Sequence, residues 1–514
     1  MTIRMLTRGV LVATLVLGGC GDSTEEGPEP AAIALLDGNG QDGVVGTALA
    51  SPLRVEVTDE AGDPAAGVEV TWSVTAGGGS ITPASTTDAA GVAAAVFTLG
   101  AANGVHTATA SVAGLAGSPV QFTAIAGLVA PPPPSGDITL ASVTPAPPNS
   151  VYIHDMFVRD GLAFVFAWNS GVIIYDVGNG MRGGSPTSPQ QVGSLVTSTS
   201  GLPCVCVHNG WWFHNPVTGE KKYLFIGQEG PGSTLTSSTG DIHVLDVTDL
   251  ANPVEVATYH HPDLPDGSGT LRPVGVHNFW MDEANETLYA AFYNGGVVAF
   301  DVSGTLSGDL AGRVISAVRP GGAGNTYTWG VQLANESIYA IDMRSGLYQL
   351  KLEGGTLEVV GGGGNVPERF SSDLWVHGSH AYTGTWGQRA LPDGETNFGN
   401  ALKVWTLDAG GAPSLTNTVT LNGVGTVSDV EVSPDGTWLA LTAEYGPNAG
   451  LHIYSLASPG NPVALDQYLV VSPSGGLHTG TIAEIAGRTY VFAARDPSPE
   501  GAALMILDVT DVIP

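Results

Sequence analysis

Short apolar runs recur from about residue 172 to the end of the chain, most of them opened by a small or acidic residue and closed by Asp or another polar residue. They read Gly171-Val-Ile-Ile-Tyr-Asp176, Asp241-Ile-His-Val-Leu-Asp246, Gly296-Val-Val-Ala-Phe-Asp301, Gly346-Leu-Tyr-Gln-Leu-Lys351, Leu402-Lys-Val-Trp-Thr406, Gly450-Leu-His-Ile-Tyr-Ser455 and Ala503-Leu-Met-Ile-Leu-Asp508. Runs this short predict strands, and a strand repeat about 50 residues long predicts a β-propeller, here with seven blades. A further strand follows the run in several repeats: Gln191–Val196, Pro253–Thr258 and Val463–Tyr468. The last repeat has no room for one before Pro514. Residues 137–144 can supply it, so the ring is expected to close by an N-terminal strand that leaves no open sheet edge.

Residues 31–127 follow another pattern. Apolar and polar positions alternate through Leu53–Thr58, Val68–Val74, Gly91–Thr98, Gly104–Ala110 and Val120–Ala124, with turn residues between. Period-two runs with turns every 8–15 residues or so predict a β-sandwich. The series Val55, Val57, Asp59, Gly62, Pro64, Gly67, Val68, Val70 and Trp72 resembles the bacterial Ig-like domains of invasin and intimin type. That resemblance implies a spacer, beside an adhesive tip in some members. Trp72 is expected in its core. Asp37–Gly43 has neither the spacing nor the closing Glu of an EF-hand and is read as a polar turn.

The expected organisation is all-β: an N-terminal Ig-like β-sandwich followed by a seven-bladed β-propeller closed by an N-terminal strand. Residues 1–19 form a signal peptide, with Arg4 and Arg8 before an apolar run too short to span a bilayer. Leu17-Gly-Gly-Cys20 resembles a bacterial lipobox, which implies cleavage before Cys20 and lipidation of its sulfur. Gly21 after it resembles the outer-membrane rather than the retained class, so the expected location is the cell envelope, lipid-anchored, at the outer membrane or cell surface. Residues 20–30 are then an acidic tether, 31–127 the Ig-like domain, 128–136 a Pro-rich linker stiffened by Pro131–Pro134, and 137–514 the propeller.

Charge narrows the partners. The chain has 17 Lys and Arg against 48 Asp and Glu. Loss of Arg4 and Arg8 with the signal leaves 15 against 48, a net of −33. Such a surface repels nucleic acid and anionic lipid. Expected partners are the membrane, through the N-terminal lipid, and a protein, glycan or small-molecule ligand.

The apolar phrase, with Asp246-Val-Thr-Asp-Leu-Ala-Asn-Pro253 or Ser455-Leu-Ala-Ser-Pro-Gly-Asn-Pro462 around it, resembles the LVIVD-repeat family of bacterial surface propellers. The resemblance covers about residues 137–514 and loosens in the fourth and fifth repeats, where Lys351 and Thr406 replace Asp. It implies a secreted or surface propeller and carries no catalytic residues to transfer.

Candidate chemistry sits at the strand expected to open each repeat. Polar or aromatic pairs stand there: His154-Asp155, His208-Asn209, His277-Asn278, Trp329-Gly330, Ser372-Asp373, Ser428-Asp429 and His478-Thr479. Loops expected at the same channel mouth add Trp168, Tyr293, Arg344, Arg389, Tyr445 and Arg495. The candidate ligand-binding set is His154, Asp155, His208, His277, Asn278, Trp329, Arg344, Arg389, His478 and Arg495. Three readings stand. His154, His208, His277 and His478 hold a divalent metal ion; His and Arg hold an anionic or sugar-like ligand; or the pairs are a hydrogen-bonded ring tying neighbouring blades. Cys204 and Cys206 are read as buried free thiols, with soft metal ligation as the alternative. Trp211-Trp-Phe-His214 is read as packing between blades, with an exposed aromatic platform for sugars as the alternative. No Gly-x-Ser-x-Gly elbow, His-Glu-x-x-His or phosphate loop is present. The expected role is therefore binding or adhesion with no catalytic residue assigned; the alternative is a propeller hydrolase or lyase at the channel mouth.

Overall fold

The computed structural model describes residues 29–514 apart from 50, 101–103, 128–135, 149, 199–204, 230–239, 263–274, 323–325, 365–368, 388–398, 409, 471–474 and 496–500. The lipobox with Cys20, the proline hinge, Cys204 and Arg389 lie outside the described residues. The described chain is all-β, with one single-turn 3-10 helix at Ala311–Arg313. It divides into two compact units, Met1–Ala126 and Gly127–Pro514.

The first unit pairs strands as its alternation demands. Leu53, Val55 and Val57 turn inward with no exposure, while Arg54 between them faces solvent. Leu53–Asp59 lies between Pro30–Asp37 and Val92–Ala95. Glu69–Ala76, Gly104–Ser111 and Val120–Gly127 belong to the opposing five-stranded sheet. Trp72 is buried against Phe122, and its indole N–H donates to Ser85 Oγ at 2.9 Å. Asp59 closes the Asp-x-x-Gly-x-Pro turn by accepting from the backbone N–H groups of Ala61 and Asp63, both at 2.9 Å. The Asp37–Gly43 turn is held in the same manner: Asn39 Oδ1 accepts from Thr123 N–H at 2.8 Å.

In the second unit every apolar phrase is the third strand of a four-strand antiparallel series. Val172–Asp176, Ile242–Asp246, Val297–Asp301, Gly346–Glu353, Ala401–Leu407, Gly450–Ser455 and Ala503–Asp508 hold these places. Neighbouring sheets cover both of their faces, so the run is continuously apolar rather than alternating. The fourth strands lie outermost and alternate instead, as in Pro413–Thr420. The closing Asp has a local cause: Asp176, Asp246, Asp301 and Asp508 each accept a backbone N–H two residues on. Where Lys351 and Thr406 replace it the strands run on, and Asp408 makes the turn by accepting from Gly410 and Ala412 N–H.

Five of these series form discrete sheets, and the two series from Phe370 to Leu469 share one eight-stranded sheet through a single Thr385–Val427 pair. Thr139–Pro145 pairs antiparallel with Ala503–Asp508, the strand assigned to it from the sequence. Apolar clusters fill each gap between consecutive series; one joins Ala163 and Val165 to Tyr490 and Phe492. The seven first strands are Asp155–Arg159, Val207–Phe213, Phe279–Asp282, Thr328–Ala334, Phe370–His377, Thr426–Val432 and Leu477–Ile485. Each packs on the next, and Leu477–Ile485 also touches Asp155–Arg159.

Candidate functional site

The polar pairs converge because each stands at or just before a first strand. They enclose a cavity of about 60 Å³ lined by His154, Asp155, His208, His277, Asn278, Trp329, Asp373, Trp386, Ser428, Asp429, His478 and Thr479. Seven of the ten ligand-binding candidates from the sequence are in this lining, His154, Asp155, His208, His277, Asn278, Trp329 and His478; Arg344 and Arg495 are described but lie elsewhere, and Arg389 is outside the described residues. Arg344 lies over the rings of Tyr327 and Phe370, and Arg495 Nε donates to the Gly501 carbonyl at 3.0 Å. Neither arginine lines the cavity.

Side chains fall into layers because alternate strand residues face the same way. The first layer is imidazole and indole. His154 packs on His208 at 4.0 Å between ring centroids, His208 on His277 at 4.2 Å, and His277 on Trp329 at 4.0 Å. Trp386 and His478 continue the series, and His478 meets His154 edge-on at 4.3 Å. Burial, and then the neighbouring His478, push the His208 pKa down to about 3. Burial, and then His208 and His478, hold His277 well below the usual imidazole range. Both rings are therefore neutral at pH 7.

The next layer is acidic. Asn278 Nδ2 donates to Asp373 Oδ1 at 2.6 Å, and Asp429 Oδ2 accepts from Gly480 N–H at 2.7 Å. Two residues further along Thr426–Val432, Glu431 Oε2 accepts from Ile482 N–H at 3.0 Å. Burial, and then the charge of Asp429, raise Asp155 to about 7 and Asp373 well above the usual carboxylate range. Burial, with Asp429 and Asp155 adding to it, raises Glu431 to about 8. A third layer is aromatic: Phe157, Trp211, Trp280 and Trp375 follow in contact, with neighbouring ring centroids 5.1–5.8 Å apart. The Trp211 part of Trp211–His214 thus packs between series, as its aromatic composition suggests.

Several bonds cross between series as a tying ring requires. Thr479 Oγ1 donates to the His154 carbonyl at 2.6 Å, Ser372 Oγ to the Val427 carbonyl at 2.6 Å, and Thr442 Oγ1 to the His478 carbonyl at 2.8 Å.

Besides Glu431, two further carboxylates at the site were not singled out in the sequence. Glu229 follows the second strand Tyr223–Gln228 and brings Oε2 to 3.7 Å from both His154 Nε2 and His208 Nε2. Tyr293 donates its hydroxyl to Glu229 Oε1. Glu444 ends the strand Trp438–Glu444, is fully buried, and takes His478 Nδ1 at 2.6 Å. His478 Nε2 then lies 3.1 Å from His154 Nε2. The loops after the second strands are also where Trp168, Tyr293 and Tyr445 hold left-handed backbone, with φ of 40°, 42° and 56°. Such conformations persist where surrounding structure imposes them, and they cluster at binding sites. Trp168 stacks on His154 at 5.1 Å.

Cys206 corrects a sequence expectation: it is disulfide-bonded, neither a free thiol nor a soft ligand. Its partner lies outside the described residues. The strand begins only at Val207, and Cys206 holds left-handed backbone with φ of 41° just before it.

Comparison with known proteins adds a class for the first unit. The family profile of the bacterial Ig-like domain (group 1) matches residues 47–125. No curated protein matches the chain. Among solved structures, the chain is similar to the WD40 domain of Neurospora crassa Pan2, at 10% identity and a TM-score of 0.46, covering 72% of this chain and 95% of that one. It is also similar to the computationally designed protein Ika8, at 8% identity and a TM-score of 0.42, covering 72% of this chain and 98% of that one. The chain is an all-β protein with a bacterial Ig-like domain, followed by a second unit of four-strand antiparallel series. Among the described residues no helix is long and apolar enough to cross a membrane.

Proposed function

We propose that this is a lipid-anchored envelope protein in which an Ig-like spacer presents a seven-bladed, LVIVD-type propeller whose channel mouth binds a ligand. The single Thr385–Val427 pair is read as a contact between two blades, and the pairing of Thr139–Pro145 with Ala503–Asp508 as the closure of the ring. The observation that carries the functional reading is the bacterial Ig-like match at 47–125, directly ahead of a sheet array with a polar, aromatic-rimmed mouth. The Cys206 disulfide supports an oxidising, extracytoplasmic compartment. Lipidation of Cys20 supplies the anchor, and the acidic surface disfavours nucleic acid and anionic lipid as partners.

The cavity limits what enters. About 60 Å³ is far below the roughly 300–1,000 Å³ of organic-ligand pockets. A protein, glycan or small organic ligand therefore sits across the mouth, against the half-buried Trp168 and with the buried Trp329 in the floor beneath it, while the lumen admits an ion or water. Cys20→Ser tests the anchor: the variant should leave the membrane fraction for the soluble one. Retention in membranes would overturn the lipid-anchored reading. Protease added to intact cells should cleave the wild-type chain; full protection would place it away from the surface.

An enzymatic reading rests on one observation, the buried Glu444–His478 pair with His478 Nε2 against His154 Nε2. A carboxylate-oriented imidazole at a channel mouth is a proton-transfer arrangement. Turnover of a substrate found by screening, lost in Glu444→Gln, would favour it.

A further inference from the structure

We propose that His154, His208 and Glu229 form a binding site for one divalent transition-metal ion of the zinc class. One imidazole nitrogen from each histidine and one carboxylate oxygen lie within 4.8 Å of one another. Glu229 Oε2 stands 3.7 Å from each histidine Nε2. Two donors each about 2.0–2.2 Å from one zinc ion stand roughly 3.3–3.6 Å apart, so each Glu229–histidine pair needs a shift of only a few tenths of an ångström, and the two imidazoles, within 4.8 Å, close by a side-chain adjustment.

A second observation is independent of that spacing. His208 is buried at 1% exposure, and neither of its ring nitrogens makes a hydrogen bond. Ring stacking on His154 and His277 places the imidazole without satisfying those nitrogens. Buried polar atoms are otherwise paired, and an ion on Nε2 answers one of these two exceptions. Imidazole with one carboxylate suits zinc-class ions, whereas Mg²⁺ and Ca²⁺ prefer oxygen donors throughout.

The surroundings fit. Tyr293 orients the carboxylate through Glu229 Oε1, the outer-shell support usual for a metal-ligating side chain. Trp168 stacks on His154 and holds its ring. The adjoining cavity of about 60 Å³ has room for an ion and a water but not for an organic cofactor. This inference does not rest on the binding role proposed above, since an ion here serves a structural, binding or catalytic channel equally.

The test uses the full chain, purified without a metal-binding tag, stripped with a chelator, and titrated separately with Zn²⁺ and Mg²⁺. About one Zn²⁺ per chain should remain after desalting, and no Mg²⁺. His208→Gln and Glu229→Gln should each weaken Zn²⁺ binding by at least about tenfold, and Tyr293→Phe, which keeps the ring, by about 10–100-fold. Far-ultraviolet circular dichroism identifies folded variants, and Tyr293→Phe serves if the others misfold. His260→Gln, at a largely exposed imidazole bonded to Asp241, should change nothing. A folded wild type that retains no Zn²⁺, equal affinity in all variants, loss on His260→Gln alone, or equal retention of Mg²⁺ would each overturn the assignment.

Discussion

Replacing Glu431 by Gln should stabilise the protein at alkaline pH and leave it unchanged in acid. Glu431 lies on Thr426–Val432, with Asp429 on its own strand and Asp155 near enough to act on it. Burial first, and then those two carboxylates, raise its pKa from 4.5 to about 8 against the Ile482 N–H that favours the anion. A raised folded pKa means the stabilising contribution is complete below about pH 4.5 and is lost as pH climbs through 8. The gap between 4.5 and about 8 sets an upper bound of roughly 5 kcal/mol, at 1.36 kcal/mol per pH unit. Glu431 is half-buried rather than fully enclosed, so solvent cuts the penalty to about 2–3 kcal/mol. Glutamine keeps an oxygen for Ile482 N–H and carries no charge. Thermal unfolding followed by tryptophan emission, with chelator present, should give equal midpoints at pH 4.5. At pH 9 the variant's midpoint should be higher by a few degrees. An unchanged or lower midpoint at pH 9 would refute the claim that this carboxylate is destabilised by burial.

Asp176 titrates in the opposite sense. Burial opposes its charge, but the backbone N–H groups of Arg182, Gly178, Gly180 and Gly184 outweigh it and hold the pKa at about 2. Its contribution is present above about pH 4 and lost as pH falls through 2. Asp176→Ala should cost about 2–3 kcal/mol at pH 7, measured by urea unfolding, and should flatten the acid limb. Trp405 is fully buried and donates to Thr383 Oγ1 at 3.1 Å; Trp405→Ala should cost about 3–5 kcal/mol in the same assay. Trp72→Phe should cost about 1 kcal/mol through loss of the indole bond to Ser85, read in the unfolding of the Ig-like unit alone.

The apolar phrases were legible because they lie between sheets. Burial on both faces erases alternation and leaves a run such as Val-Ile-Ile-Tyr, repeated at the spacing of the series. The Asp that ends it was equally visible, since an Asx turn needs that side chain at that place. The polar pairs could be placed on the channel because a first strand has no other reason to open with His-Asn or Ser-Asp. Between His154 and Asp155 the sequence left the channel-facing side open, because residues on both sides of that strand are apolar; both line the cavity.

Glu229 and Glu444 were not legible for a physical reason. Each stands where the second strand gives way to its loop, outside the phrases and paired positions that repeat from series to series. One signal was available: Glu444 precedes Tyr445, and Tyr445 holds the loop position of Trp168 and Tyr293. The arginines misled for a related reason. A residue in such a loop can point along the rim, and Arg344 does so, resting over Tyr327 and Phe370.

The central claim is that the channel mouth is the ligand-binding face, and native mass spectrometry tests it most directly. The chain would be drawn in mild detergent from its own envelope, as wild type and as a folded Trp329→Ala variant. The account predicts a bound mass beyond any metal ion on the wild type, absent from the variant. The same bound mass on both chains, or none on the wild type, would contradict it.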